Sequence, residues 1–236
     1  ESNEAIGRKT IEITSENEKT KTKEADQSVT RSNNTENRLS GEKNFNMTTD
    51  FDETIIIGGK NIVVAIGPNG ETQDIKTEDF LSVYPELEAA GYEFDFKDYN
   101  EVKGGEIAPW MDNIESYILE NGVEDAGGII QISNFNVLTA RDQKAAFAIK
   151  IYIEQELEKR GHKVNIPLES IVGLGVPDAD GKYPVVTPEM KRDWVIKNIL
   201  ENGYTDITLA DDSGPITDAY NTIKTDFESL GEDFNI

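Results

Sequence analysis

From Phe45 onward, short apolar runs alternate with longer segments of helical period, and this alternation constrains the fold more than any other feature of the chain. A strand that returns through a helix lies parallel to its neighbour. The alternation therefore predicts α/β architecture, a doubly wound Rossmann-like parallel sheet with helices on its faces. Phe45, Met47 and Thr49 alternate with polar residues and run into Asp50 as a first strand. Ile55 to Ile57, then Ile62 to Ile66, then the turn Pro68-Asn69-Gly70 suggest a β-hairpin flap. Residues 77–100 are mixed, with Tyr92, Phe94 and Phe96 alternating as in a short strand. Helices are expected at about 107–121, 142–159, from Thr187-Pro188-Glu189 to Asn202-Gly203, and at about 215–229. Strands are expected near 134–139, from Ile171 to Val176 and from Ile207 to Ala210.

Residues 1–44 have a different texture. They are rich in Glu, Lys, Thr, Ser and Asn, with few large apolar side chains and no sustained period. Such a segment buries too little surface to offset its ordering entropy and is expected to be a flexible polar arm, long enough to wrap a protein partner. The folded domain is then 45–236, with 55–106 as a small flap or cap insertion built on one hairpin. The chain starts at Glu1 rather than Met, as expected of a fragment or a processed product.

Charge narrows the partners. Residues 1–49 hold nine acidic and eight basic side chains, so nearly all of the net charge of −23 falls on residues 50–236. That surface repels nucleic-acid backbones and attracts cations. No cysteine is present, which excludes disulfides and thiol chemistry, and no apolar run is long enough to span a bilayer. The expectation is a cytoplasmic protein without membrane contact.

Four short segments carry the chemistry, three of them just after an expected strand: Asp50-Phe51-Asp52-Glu53-Thr54, Val137-Leu138-Thr139-Ala140-Arg141 and Asp211-Asp212-Ser213; the fourth is Lys191 near the head of a helix. Strand ends of a parallel sheet share one edge, where such folds bind ligands. Asp50 and Asp52 are two apart and face one side, and Asp211 with Asp212 makes four carboxylates in one pocket. Their repulsion calls for a hard cation, and Mg2+ takes carboxylates plus a phosphate. Lys191 and the Thr139 hydroxyl would donate to phosphoryl oxygens, Asp50 would attack phosphorus, and Asp52 would act as acid and then base. The blander readings are a solvated acidic turn for the first pair, a helix cap at Ser213, and an exposed lysine at 191.

The constellation resembles the haloacid dehalogenase superfamily. Asp50, Asp52 and Thr54 match its D-x-D-x-T motif, Thr139 its second motif, and Lys191 with Asp211 and Asp212 the lysine and the acidic pair some twenty residues later. The resemblance spans about residues 45–225 and implies a Mg2+-dependent phosphomonoester hydrolase working through an aspartyl-phosphate. It also implies metal ligation by Asp50, by the backbone carbonyl of Asp52, and by Asp211 with Asp212, and no organic cofactor. The texture of 55–106 is similar to that of superfamily members encoded by tailed phages. The chain departs from the pattern at polar Asn46, Thr48 and Thr49 in the first strand and at Asn134 and Asn136 in the second.

The expected substrate is a phosphorylated small molecule or an exposed phosphate on a larger one. A non-catalytic or virion-associated binding module, tethered by the arm, is the alternative; a phosphotransferase is the third. Arg141 is expected to contact substrate or to cap a nearby acid. His162 is expected at the surface, and Trp110 and Trp194 in packing roles.

Overall fold

The computed structural model describes residues 43–229. The arm expected at 1–44 lies outside them apart from Lys43 and Asn44. Those two already belong to the fold: Asn44 Nδ2 donates to the carbonyls of Asn202 and Gly203, and its own carbonyl accepts from Thr205 and Asp206.

The centre is a four-stranded parallel sheet of β1 (Phe45–Thr49), β9 (Phe135–Thr139), β11 (Ile171–Gly173) and β12 (Asp206–Ala210), in the order β11-β9-β1-β12. Successive side chains of a strand point to opposite faces. Val137 accordingly joins one buried cluster and Leu138 the other. The Val137 cluster includes residues of α2 (Met111–Asn121) and α3 (Ala146–Lys159), namely Met111, Ile114, Ile118, Ile149, Ile153 and Leu157. The Leu138 cluster takes Val195 and Ile199 from α4 (Pro188–Asn202) and Tyr220 and Ile223 from α5 (Gly214–Ser229). The fold is thus mixed α/β on a parallel sheet, as the alternation predicts.

Between β1 and α2 the chain builds more than one hairpin. The turn at Pro68-Asn69-Gly70 joins β3 (Ile62–Ile66) to β4 (Thr72–Lys76), but β2 (Ile56–Gly59) pairs with β6 (Gly104–Ile107) instead. A helix, α1 (Thr77–Ala89), and a short β5 (Glu93–Asp95) fill the stretch whose sequence is mixed. Pro85 lies inside α1 and masks its period, yet Phe80, Val83 and Leu87 still share a stripe. Phe80 packs edge-on against Phe94 and Phe96, closing a separate small core with Val63, Ala65, Ile75 and Tyr99. The expected helix at 107–121 begins only at Met111, because β6 takes Ile107. Ile130 belongs to a second small sheet, β10-β8-β7 (Val164–Asn165, Ile130–Gln131, Val123–Glu124), rather than to the central strand.

The polar residues of β1 and β9 are buried, and Asn46 and Thr48 of β1 bond to each other and, through Asn46, to the half-buried Asn134 just before β9. Thr48 Oγ1 donates to Asn46 Oδ1 at 2.8 Å, Asn46 Nδ2 to the Asn134 carbonyl at 2.9 Å, and Asn134 Nδ2 to the Phe45 carbonyl at 3.0 Å. Among the described residues no helix is long and apolar enough to cross a membrane.

Candidate active site

The parallel strands end together, and β1, β9 and β12 deliver Asp50, Thr139 and Asp211 to the same edge of the sheet. The Asp50 amide donates to the carbonyl of Ala210 at 2.8 Å, continuing the ladder one residue past the strand. Phe51 is fully buried beneath, edge-on to Tyr152. Alternation then turns Asp50 and Asp52 away from that core.

Lys191 arrives from the opposite side because of how α4 starts. Thr187 caps the helix by accepting from the Met190 amide, Pro188 opens the first turn, and Gly203 closes the last turn at φ 67°. Lys191, Val195 and Ile199 recur at four-residue spacing, so the lysine lies on the buried stripe of the helix. Its Nζ donates to Asp50 Oδ1 at 2.8 Å and to Asp211 Oδ2 at 2.6 Å. All three side chains are at least nine-tenths buried. Asp211 Oδ1 accepts from the Ser213 amide, and the Asp212 amide donates to Thr54 Oγ1 at 3.1 Å. Thr54, the last residue of the first motif, therefore orients the second member of the acidic pair.

Electrostatics follow from this crowding. Burial pushes the Asp50 carboxyl up from 3.8 to about 7; Lys191 opposes the rise, and Asp211 and Asp52 add to it. Burial, then Asp211, raises Asp212. Burial alone would lower Lys191, but Asp50 and Asp211 outweigh it and hold the ammonium above its ordinary value. One lysine thus faces three carboxylates. Asp50, Asp211 and Asp212 each offer an oxygen within 4.8 Å of the others. An all-oxygen set with surplus negative charge suits a hard divalent cation, so these residues fit the metal that the resemblance implies.

Asp52 stands apart. Both of its carboxylate oxygens accept from Arg141, Oδ2 from Nε at 2.8 Å and Oδ1 from Nη2 at 2.6 Å. Of the two expectations for Arg141, capping an acid is the one observed. Thr139 is buried at the end of β9, where its Oγ1 accepts from the Arg141 amide. Glu53, between the two motif residues Asp52 and Thr54, has φ 57°, a strained value for a side-chain-bearing residue, and its amide donates to the Ile56 carbonyl to close the turn. Nothing in the residue types announces that turn.

A cavity of about 600 Å3 opens beside the acidic pair, lined among others by Glu53, Thr54, Trp110, Asp211, Asp212 and Tyr220. Trp110 is both a packing residue and part of this wall. Trp194 packs against the Leu138 cluster, and His162 is half-buried with Nε2 at 2.9 Å from Glu115. Comparison with protein-family models, curated proteins and solved structures finds no match for the chain.

Proposed function

We propose that the protein is a Mg2+-dependent phosphomonoester hydrolase with a doubly wound fold of haloacid dehalogenase type and Asp50 as nucleophile. The observation that carries this reading is Lys191 bridging Asp50 and Asp211 beside Asp212, at the carboxyl ends of β1 and β12. Asp50, the Asp52 carbonyl, Asp211 and Asp212 would hold Mg2+, which neutralises phosphate charge so that an anionic nucleophile can approach.

The chain's own groups do the rest. An Asp50 carboxylate oxygen bonds to phosphorus while the bond to the leaving oxygen breaks, giving an aspartyl-phosphate. Lys191 and the Thr139 hydroxyl donate to the phosphoryl oxygens as charge shifts. Asp52 gives its proton to the leaving oxygen, then takes one from the water that attacks phosphorus, which releases phosphate and restores Asp50. For the first transfer a proton on Asp52 must displace one of its two bonds from Arg141. Acid-quenching a reaction with a phosphomonoester and Mg2+ tests the intermediate: a phosphoryl group is expected on the peptide spanning Asp50. Its consistent absence during turnover would rule out the covalent route.

A further inference from the structure

Arg141 belongs to none of the groups that the proposed chemistry uses, yet it is the most fully bonded polar side chain near the site. It is 3% exposed. Its guanidinium has five N–H donors, and five contacts take them up. Nε and Nη2 hold the two oxygens of Asp52, Nη2 also reaches Asn61 Oδ1 at 3.2 Å, and Nη1 donates to the carbonyls of Tyr99 at 3.0 Å and Glu101 at 2.7 Å. The rings of Phe51 and Tyr99 flank it, with centroids 5.1 and 5.0 Å from Cζ.

These partners come from different parts of the chain. Asp52 and Phe51 belong to the loop after β1. Asn61, Tyr99 and Glu101 belong to the inserted segment, where Tyr99 is part of the small separate core and Asn61 Nδ2 donates to the carbonyls of Asp98 and Glu101. Behind Arg141, the Gly175 amide donates to its carbonyl at 3.0 Å, and a side chain at Gly175 would collide with the Ala140 carbonyl. The arginine is therefore fixed from the rear and bonded forward to two elements at once. With every donor engaged, it can bind a phosphate only by giving up one of these bonds.

We propose that Arg141 is a positioning residue that couples the inserted segment to Asp52, so that the seating of residues 97–103 and the orientation of the Asp52 carboxylate depend on each other through one guanidinium. The catalytic consequence rests on the function proposed above; the coupling itself does not. Coupling between two sites is reciprocal, so it can be read from either end.

The test is amide hydrogen exchange over residues 97–103, whose Tyr99, Glu101 and Lys103 amides are hydrogen-bonded. It compares the unaltered protein, Asp52→Ala, Arg141→Lys and the double variant, with α3 as a folding control. Asp52→Ala is expected to speed exchange at 97–103 by about tenfold without affecting α3, and the double variant is expected to exchange no faster than the quicker single one. Unchanged exchange in Asp52→Ala, or effects that multiply in the double variant, would overturn the coupling. Should Arg141→Lys not fold, Asp52→Ala and Asp52→Asn decide the coupling alone, and unchanged exchange at 97–103 in both would overturn it.

Turnover of an aryl phosphate gives the second readout. Arg141→Lys is expected to lower kcat at unchanged KM, and to lose that effect in an Asp52→Asn background. A raised KM would assign Arg141 to phosphate binding instead and sink the proposal. A protein with no turnover at all would contradict the phosphatase reading, while the exchange result would still decide the coupling.

Discussion

Lys191 and Asp50, 141 positions apart in sequence, meet as a buried ion pair at 2.8 Å, and the same ammonium holds Asp211 at 2.6 Å. A buried charge loses its hydration and is tolerated only when paired. The lysine therefore has a structural role beside the catalytic one proposed for it. Lys191→Met is expected to destabilise the metal-free protein by about 3–5 kcal/mol, because two buried carboxylates lose their counter-charge. Mg2+ is expected to recover part of that loss, and kcat to fall by about two to three orders of magnitude. Urea unfolding with and without Mg2+ measures the first effect, steady-state kinetics the second.

The raised affinity of Asp50 for a proton sets a pH dependence. Between 3.8 and about 7 the folded protein keeps a proton on Asp50 that the unfolded chain releases. The folded state binds more protons there, so this contribution to stability is complete below 3.8 and is lost as pH rises through about 7. Asp50→Asn is expected to remove that slope from the metal-free protein. The same proton competes with a cation, so Mg2+ affinity is expected to fall as pH drops below about 7. Calorimetric titrations across this range check the cation effect; an affinity independent of pH would contradict it.

Gly175 fits against Ala140 and Arg141, the segment that follows Thr139 at the end of β9. A Cβ there would run into the Ala140 carbonyl, which is backbone and cannot rotate away. Gly175→Ala is expected to cost about 1–3 kcal/mol in stability and to lower kcat further than an equally destabilising substitution in α2. Equal losses of activity in the two variants would show that the contact is only packing.

The sheet also holds a polar atom without a partner. Asn136 Nδ2 is buried and makes no hydrogen bond. Asn136→Val is expected to raise stability by about 1 kcal/mol, since an unpaired buried donor is replaced by apolar surface. A fall in the urea midpoint would show that the amide is satisfied in solution.

The parallel sheet was legible in the sequence because β1, β9 and β12 each run into a polar segment and because Gly122, Gly161 and Gly203 stand at or just after the ends of three of the helices. Thr187-Pro188 and Gly203 bound α4 as the residue types predict, and Lys191 falls on its buried stripe. The inserted segment was harder to read. Pro85 breaks the helical pattern of α1, and β2 pairs with β6, nearly fifty residues away, a contact that no local period encodes. Asp50, Thr139 and Asp211 could be expected at one edge from strand ends alone, whereas Lys191 reaches it from a helix, and only its twenty-residue interval to Asp211 pointed there. The clamp of Arg141 on Asp52 could not, because it depends on where Asn61, Tyr99 and Glu101 come to rest. The polar intrusions in β1 read as defects in one dimension, but Thr48 bonds to Asn46 along the strand, and Asn46 and the Phe45 carbonyl bond across to Asn134 just before β9.

Release of inorganic phosphate from an aryl phosphate, with Mg2+ or with a chelator, in the unaltered protein and in Asp50→Asn, tests the central claim most directly. Turnover is expected to require Mg2+ and to fall by a factor on the order of a thousand or more in the variant. Turnover that survives the chelator, or that Asp50→Asn retains in full, would contradict the assignment of Asp50 as a metal-assisted nucleophile.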